Sequence, residues 1–146
     1  MGYFNSIDIA ASALTAQRLR MDIISQNIAN SETTRTEDGT AYRRRIVVFR
    51  EKENTNPFSQ YLAESSEKIT SGGVEVSSII EDQTPFKRVY DPGHPDADEA
   101  GYVEMPNVDI VTEMVNMISA SRAYEASITS LNTSKSMVLK ALDIVK

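Results

Sequence analysis

The chain has 146 residues, 21 acidic against 15 basic, and a formal charge of −6. That leaves room for one domain or a small domain with long helices, and the acidity argues against a general nucleic-acid binder, whose surface is basic. With no cysteine there is no disulfide framework, thiolate nucleophile or cysteine metal site, and no window approaches the ~18 apolar residues of a membrane span.

Residues 1–35 predict a first long helix. Asn5 or Ser6 can cap it, with Asp8 in the first turn. Ile7, Ala10, Leu14, Gln17, Met21, Ile24 and Ile28 step by threes and fours, Gln17 being the one strongly polar member. Asn30-Ser31 stops the helix, and turn chemistry follows. The opening residues lack a basic region running into an apolar stretch and a small-residue cleavage site, so no removable signal peptide is expected.

Residues 36–105 switch to period two. Glu37-Asp38-Gly39-Thr40 is a turn leading to a strand from Tyr42 to Arg50, centred on Ile46, Val47, Val48 and Phe49. A second strand, Val74 to Ile80, follows Gly72-Gly73. Shorter ones, Phe86 to Tyr90 and Tyr102 to Glu104, flank the turn-rich Asp91-Pro92-Gly93-His94-Pro95. Residues 54–71 read as a variable loop or hairpin tip, where Pro57 could open one helical turn.

Residues 106–146 predict the second long helix. Pro106 cannot lie inside it, Asn107 is a good N-cap, and Asp109 and Glu113 suit the positive end of its dipole. Ile110, Met114, Met117, Ser121, Tyr124, Ile128, Leu131, Lys135, Val138, Leu142 and Val145 alternate by fours and threes, a heptad seam broken only by Ser121 and Lys135. At 1.5 Å per residue the helix would run about 55–60 Å, longer than a domain this size needs. The fold class expected is α+β: long N- and C-terminal α-helices packed as a coiled-coil-like pair, with a small β-rich hairpin segment between them.

Both helices carry more apolar surface than one seam uses: Ile9, Leu19 and Ile23 in the first, Val108, Val111, Val115 and Ile118 in the second. Either neighbouring subunits cover these faces or a wide stripe packs on the chain's own middle segment. The second helix is rich in β-branched and hydroxyl residues, each costing a few tenths of a kcal/mol against Ala, so it depends on packing. Ends that are mobile in a lone chain and ordered in an assembly are therefore expected.

Chemistry is sparse. His94 sits among Asp91, Asp96, Asp98 and Glu99, but a calcium loop begun at Asp96 has Ala100 at the fifth position and Asn107 at the twelfth, so a solvated acidic turn is expected. Arg43, Arg44, Arg45 and Arg50 would point to both faces of a strand and make no single phosphate patch; a solvated strand, or salt bridges between subunits, is expected instead. Gly72-Gly73 has no phosphate-loop spacing, no serine or threonine has a histidine or lysine motif to activate it, and the methionines are core or interface filler. No catalytic constellation is found.

Ser25-Gln-Asn-Ile-Ala-Asn-Ser-Glu-Thr33 resembles the N-terminal signature of the bacterial flagellar rod and hook family, in which an amphipathic helix ends in an Asn-Ile/Leu-Ala-Asn run. Pro106 to Ala126, with Leu131-Asn132 and Lys135-Ser136-Met137, resembles that family's C-terminal helix. Asp38-Gly39 leading to Tyr42-Arg43 and Val47-Val48-Phe49, Gly72-Gly73-Val74, and Tyr90-Asp91-Pro92-Gly93-His94-Pro95 are similar to its proximal rod members. The resemblance covers nearly the whole chain; residues 54–71 depart from it and look like an insertion.

The resemblance implies a structural, non-enzymatic subunit of the basal body. Its terminal helices would join those of other subunits in a periplasm-spanning tube that transmits torque and encloses the export channel. Implied partners are copies of itself, other rod proteins, the membrane-ring adaptor, the distal rod and the flagellar type III export apparatus, which would carry the chain out unfolded. No cofactor, metal, nucleic acid or membrane span is implied. Carried over by position, the assembly residues are Ile7, Leu14, Met21, Ile24 and Ile28 in the first helix, and Ile110, Met114, Met117, Tyr124, Ile128, Leu131, Val138 and Leu142 in the second. The alternative is a soluble helical adaptor or binding module of a secretion apparatus. That reading predicts stably helical ends and a discrete dimer, where a rod subunit predicts ends that exchange amide hydrogens fast alone and slowly when assembled.

Overall fold

The computed structural model describes residues 3–52 and 72–144. Helix α1 (Tyr3–Ala29) is followed by strands β1 (Arg45–Glu51), β2 (Val74–Glu81), β3 (Lys87–Tyr90) and β4 (Tyr102–Met105), and then by helix α2 (Ile110–Ile144). Two antiparallel hairpins, β1–β2 and β3–β4, thus lie between two long helices, the α+β arrangement expected. The loop expected at 54–71, and the expectations for Val145 and Lys146, lie outside the described residues.

The main contact in the molecule is α1 against α2. The last turn of α1 meets the first turn of α2 at Asn27 and Glu113, and burial continues to Ser134, so the helices run antiparallel. The 35 residues of α2 outrun the 27 of α1, and Leu139 and Leu142 near its end are exposed.

Eight buried or half-buried residues of α2, flanked by half-buried Asn116, Ser121 and Ala123, form one row: Glu113, Met117, Ala120, Tyr124, Ser127, Leu131, Ser134 and Val138. Its spacing is the 4-3 alternation expected, but at every other position the row has slipped back by one residue. Small Ala16 on α1 and Ala120 on α2 are both buried, and small side chains let helix axes approach closely.

Both helix starts differ from expectation. α1 is already helical at Tyr3, so Asn5 and Ser6 lie inside it and not at its N-cap. α2 begins at Ile110, capped by Asp109: Oδ1 accepts from the Val111 N–H at 3.3 Å and Oδ2 from the Thr112 hydroxyl. Asn107 is spent elsewhere, as its hydrogen bonds below show.

The β1–β2 hairpin lies along α1. β1 starts at Asn27, and the Val74 N–H at the hairpin's other end donates to Ser12 Oγ at 3.1 Å. From Asn27 to Ser12 the helix rises about 22 Å, close to the ~23 Å of a seven-residue strand, so the two elements match in length. Gly73 sits where they touch. Its φ is +86°, and a Cβ there would lie 2.5 Å from Ser12 Oγ, so only glycine fits. A bulge between Val48 and Phe49 shifts the register within the hairpin.

The β3–β4 hairpin closes through the turn at 91–101. Asp98 Oδ1 accepts from the N–H groups of Ala100 and Tyr102 at 2.9 and 2.8 Å, and its Oδ2 pairs with Arg88 at 2.9 Å. The Tyr90 and Tyr102 rings meet edge-on at 5.3 Å beside Gly101. Asp96 moors this turn to the segment after α1, accepting from the Thr34 hydroxyl at 2.8 Å.

Candidate interaction surface and the clasp behind it

Asn27 lies in the last turns of α1 with 1% of its surface exposed. An amide offers two donors and two acceptor lone pairs, and here all are used. Nδ2 donates to Arg45 O and to Glu113 Oε2, each at 2.9 Å. Oδ1 accepts from the Arg45 N–H at 2.9 Å and the Tyr42 hydroxyl at 3.0 Å. One side chain therefore fixes the start of β1 and the start of α2 together.

Glu113, equally buried, is the second node. Its Oε1 accepts from Arg44 Nε at 3.0 Å, Arg44 Nη2 at 2.7 Å and Asn116 Nδ2 at 3.2 Å. Arg44 also reaches Asp82 Oδ2 through Nη1 at 3.3 Å. Asn107 completes the clasp: its Oδ1 accepts from the Arg44 N–H at 2.8 Å, and its Nδ2 donates to Asp82 O at 3.0 Å and Thr84 Oγ1 at 2.9 Å. β1 thus starts only at Arg45, because the Tyr42 and Arg44 N–H groups go to Thr33 O and Asn107 rather than to a ladder. Breaking a buried ion pair by removing one partner costs about 3–5 kcal/mol.

Charges in the clasp are tuned by these contacts. Burial alone would lower the Arg44 pKa, but hydrogen bonds to and the charges of Glu113 and then Asp82 outweigh it, and the value is raised. The Asp82 carboxyl is held below its ordinary value, chiefly by hydrogen bonds from the Thr84 backbone and hydroxyl and less by Arg44. Burial pushes the Tyr42 phenol up.

Of the arginines expected to be solvated or to bridge subunits, Arg45 and Arg50 are exposed and Arg43 and Arg44 half-buried, and all four find partners within the chain. Besides Arg44, Arg50 pairs with Glu75 at 2.5 Å, Arg45 lies 4.0 Å from Glu81, and Arg43 stacks on Phe86 at 4.3 Å. Strand pairing places β2 acids opposite β1 arginines, a relationship between distant segments that local spacing does not reveal. His94 Nδ1 accepts from the Asp96 N–H at 3.1 Å, and Asp96 is engaged by Thr34 and Arg35; no metal-holding group of acids and histidines occurs among the described residues. Nor is any helix among them long and apolar enough to cross a membrane.

The expected interface residues divide into groups. Ile24 is buried; Ile7, Leu14, Met21 and Ile28 on α1, and Met117, Tyr124, Leu131 and Val138 on α2, are half-buried. Ile110, Met114, Ile128 and Leu142 are exposed. Beside Met114 stand Val111, Val115 and Ile118, and these four are 48–64% exposed at i, i+3, i+4 and i+7 spacing. They form an apolar stripe on the side of α2 turned away from α1. Its contiguity sets it apart from the singly scattered apolar residues ordinary on a protein surface. Asn27, Arg44, Asn107 and Glu113, which position that stripe, were missed as a set; the Asn-Ile-Ala-Asn run held the one sequence signal for them.

Two family descriptions match the chain. "Flagella basal body rod protein" covers residues 7–35, and "Flagellar basal body rod FlgEFG protein C-terminal" covers residues 99–144. The flagellar basal-body rod protein FlgC of Borreliella burgdorferi is 51% identical, the match covering 100% of this chain and 99% of the relative. FlgC of Bacillus subtilis is 46% identical over the full length of both chains, and FlgC of Escherichia coli O6:H1 is 47% identical over 99% of this chain and 98% of the relative.

Proposed function

This chain belongs to the FlgC family of flagellar basal-body rod proteins, and on that premise we infer how it serves there. It is a structural subunit of the flagellar proximal rod, assembling with other rod and basal-body proteins. Its relatives are structural proteins, and the clasp holds surfaces in place rather than activating a nucleophile.

The finer reading is that α1 and α2 enter the wall of a helical drive shaft that transmits torque and encloses the export channel. Residues 1–35 and 106–146 supply the wall and 36–105 the outer part. The assembly residues proposed are the members of the expected rows that stay exposed, Ile110, Met114, Ile128 and Leu142, together with Val111, Val115 and Ile118, while the half-buried members such as Leu131 hold α1 and α2 together. Proposed partners are copies of the chain, other rod proteins, the membrane-ring adaptor, the distal rod and the flagellar type III export apparatus. The observation that carries this is the stripe Val111, Met114, Val115, Ile118, which none of the described residues covers. Full burial of such a side chain contributes about 1.5–3 kcal/mol, and these are about half exposed, so covering each adds about 1 kcal/mol and the four together make a substantial contact.

The test replaces Val115 by Asp in a strain lacking the native gene. The purified variant should keep its helical content, while the strain should fail to swim and yield no complete rods. Basal bodies of normal number and ordinary swimming would refute the reading.

A further inference from the structure

Two rows on α2 could face α1. They share Met117, Tyr124 and Leu131, and differ only at alternate positions. One passes through Met114, Ile128 and Leu142 and is the more apolar; the other passes through Glu113, Ala120 and Ser134. By burial of apolar surface alone the first should face α1. The chain shows the second: Ile128 is 37% exposed, Ser134 7% and Ala120 0%. The difference is a rotation of α2 about its own axis by about 50°, half the 100° between successive residues.

The clasp opposes the apolar choice. Turning α2 by that amount would pull the Glu113 carboxylate off Asn27 Nδ2 and out of the fork made by Arg44 Nε and Nη2. Buried polar groups would then be left without partners, which costs far more than the bonds contribute when made. A single buried polar contact fixing helix register is the best-attested use of such groups.

We propose that Asn27 and Glu113 are registry residues: their contact sets the rotation of α2 so that its more apolar row is turned outward. What that row is for rests on the rod-subunit reading, but the registry itself is a property of the single chain and is tested there.

The absence of cysteine makes the test clean. Ile128→Cys and Ser134→Cys are introduced separately into the full chain, and maleimide labelling rates of the purified proteins are compared. Ile128 lies about 22 Å along the helix from Glu113, so a change there reports rotation of α2 and not damage at the clasp itself. With the clasp intact, Ser134→Cys should label roughly tenfold more slowly than Ile128→Cys, as when labelling waits on local opening. With Asn27→Leu and Glu113→Leu added, the order should reverse. Equal rates with the clasp intact, or an unchanged order without it, would overturn the proposal.

A second background covers the case where the leucine variant loses its helices. Ser121→Leu with Lys135→Leu completes the apolar row while leaving the clasp in place. Ile128→Cys should stay fast and Ser134→Cys slow in this background; protection of Ile128→Cys here overturns the proposal. Because no assembly is involved, a negative result leaves the rod-subunit reading standing, and a strain that swims with Val115→Asp would sink that reading while leaving this one intact.

Discussion

Asn27 Nδ2 lies 2.9 Å from Glu113 Oε2, joining the end of α1 to the start of α2 across 86 positions of chain. The same amide holds both backbone groups of Arg45, so helix pair and hairpin are fixed at one point. Replacing Asn27 by Ala would leave the Arg45 N–H and C=O, the Tyr42 hydroxyl and one acceptor oxygen of Glu113 unmet. The expected loss is about 2–4 kcal/mol of unfolding free energy, read from urea denaturation of the purified chain. A loss under ~0.5 kcal/mol would mean that water replaces the amide freely.

Arg44 should not tolerate lysine. Its Nε and Nη2 both bond Glu113 Oε1 while Nη1 reaches Asp82, a fork that a single ammonium cannot reproduce. Arg44→Lys should cost about 1–3 kcal/mol in the same denaturation measurement, since hydrogen bonds to charged groups are involved. Indifference to the exchange would show that charge alone, without the planar geometry, suffices.

How far sequence revealed this molecule depends on the range of the cause. Helical periodicity is a local property, so α1 and α2 could be read from Ile7 to Ile28 and from Ile110 to Leu142, as could the turn around Gly39. Rotation of α2 could not, because it is set by partners 69 to 86 positions away: Arg44 and Asn27 on Glu113. By itself Glu113 looks like a dipole-matching acid near a helix start, and Asn107 like a cap. Both are consumed by distant groups, and Asp109 caps in their stead. Ends of β1 shifted for the same reason, since the Arg44 N–H goes to a side chain. Family resemblance pointed to Asn27 through the Asn-Ile-Ala-Asn run, but not to what it bonds.

Gly73 and Gly39 separate strain from contact. Both have positive φ, +86° and +77°, yet a Cβ at Gly73 would strike Ser12 Oγ, whereas nothing lies within 4 Å at Gly39. Gly39→Ala should therefore cost only the backbone term, about 1 kcal/mol, and Gly73→Ala roughly 2–3 kcal/mol. Adding Ser12→Gly should recover part of the loss at Gly73 and none at Gly39. Thermal denaturation of the four variants decides it, and equal losses at the two glycines would show that the hairpin is not seated on α1.

Acid should loosen the hairpin and helix starts first. Asp82, Asp98 and Asp109 are all held below the carboxylate value of 3.8, principally by hydrogen bonds from Thr84, Tyr102 and Thr112 respectively. A depressed folded-state pKa means that the unfolded chain binds more protons near and below pH 3.8, so stability rises with pH in that window. The contribution is fully present above it and disappears as pH falls through the folded values. Denaturation midpoints measured from pH 6 to pH 2 should fall most steeply below about pH 4, following carboxylate protonation. In Asp82→Asn the slope should be shallower, and an unchanged slope would remove Asp82 from the account.

Leu131 and Val115 divide folding from assembly on one helix. Leu131 is half-buried in the row facing α1, while Val115 is 61% exposed on the other side. Leu131→Asp places a charge against α1 and deletes apolar contact, so the isolated chain should lose about 2–5 kcal/mol. Val115→Asp removes surface that is already wet, and the isolated chain should change by no more than ~0.5 kcal/mol. Both strains should fail to swim, but for different reasons: the first chain would be scarce or degraded, the second abundant and unassembled. Immunoblots of cell extracts beside electron micrographs of basal bodies distinguish the two. A Leu131→Asp chain as stable as the parent would mean that the row through Glu113, Ala120 and Ser134 is not where the helices meet.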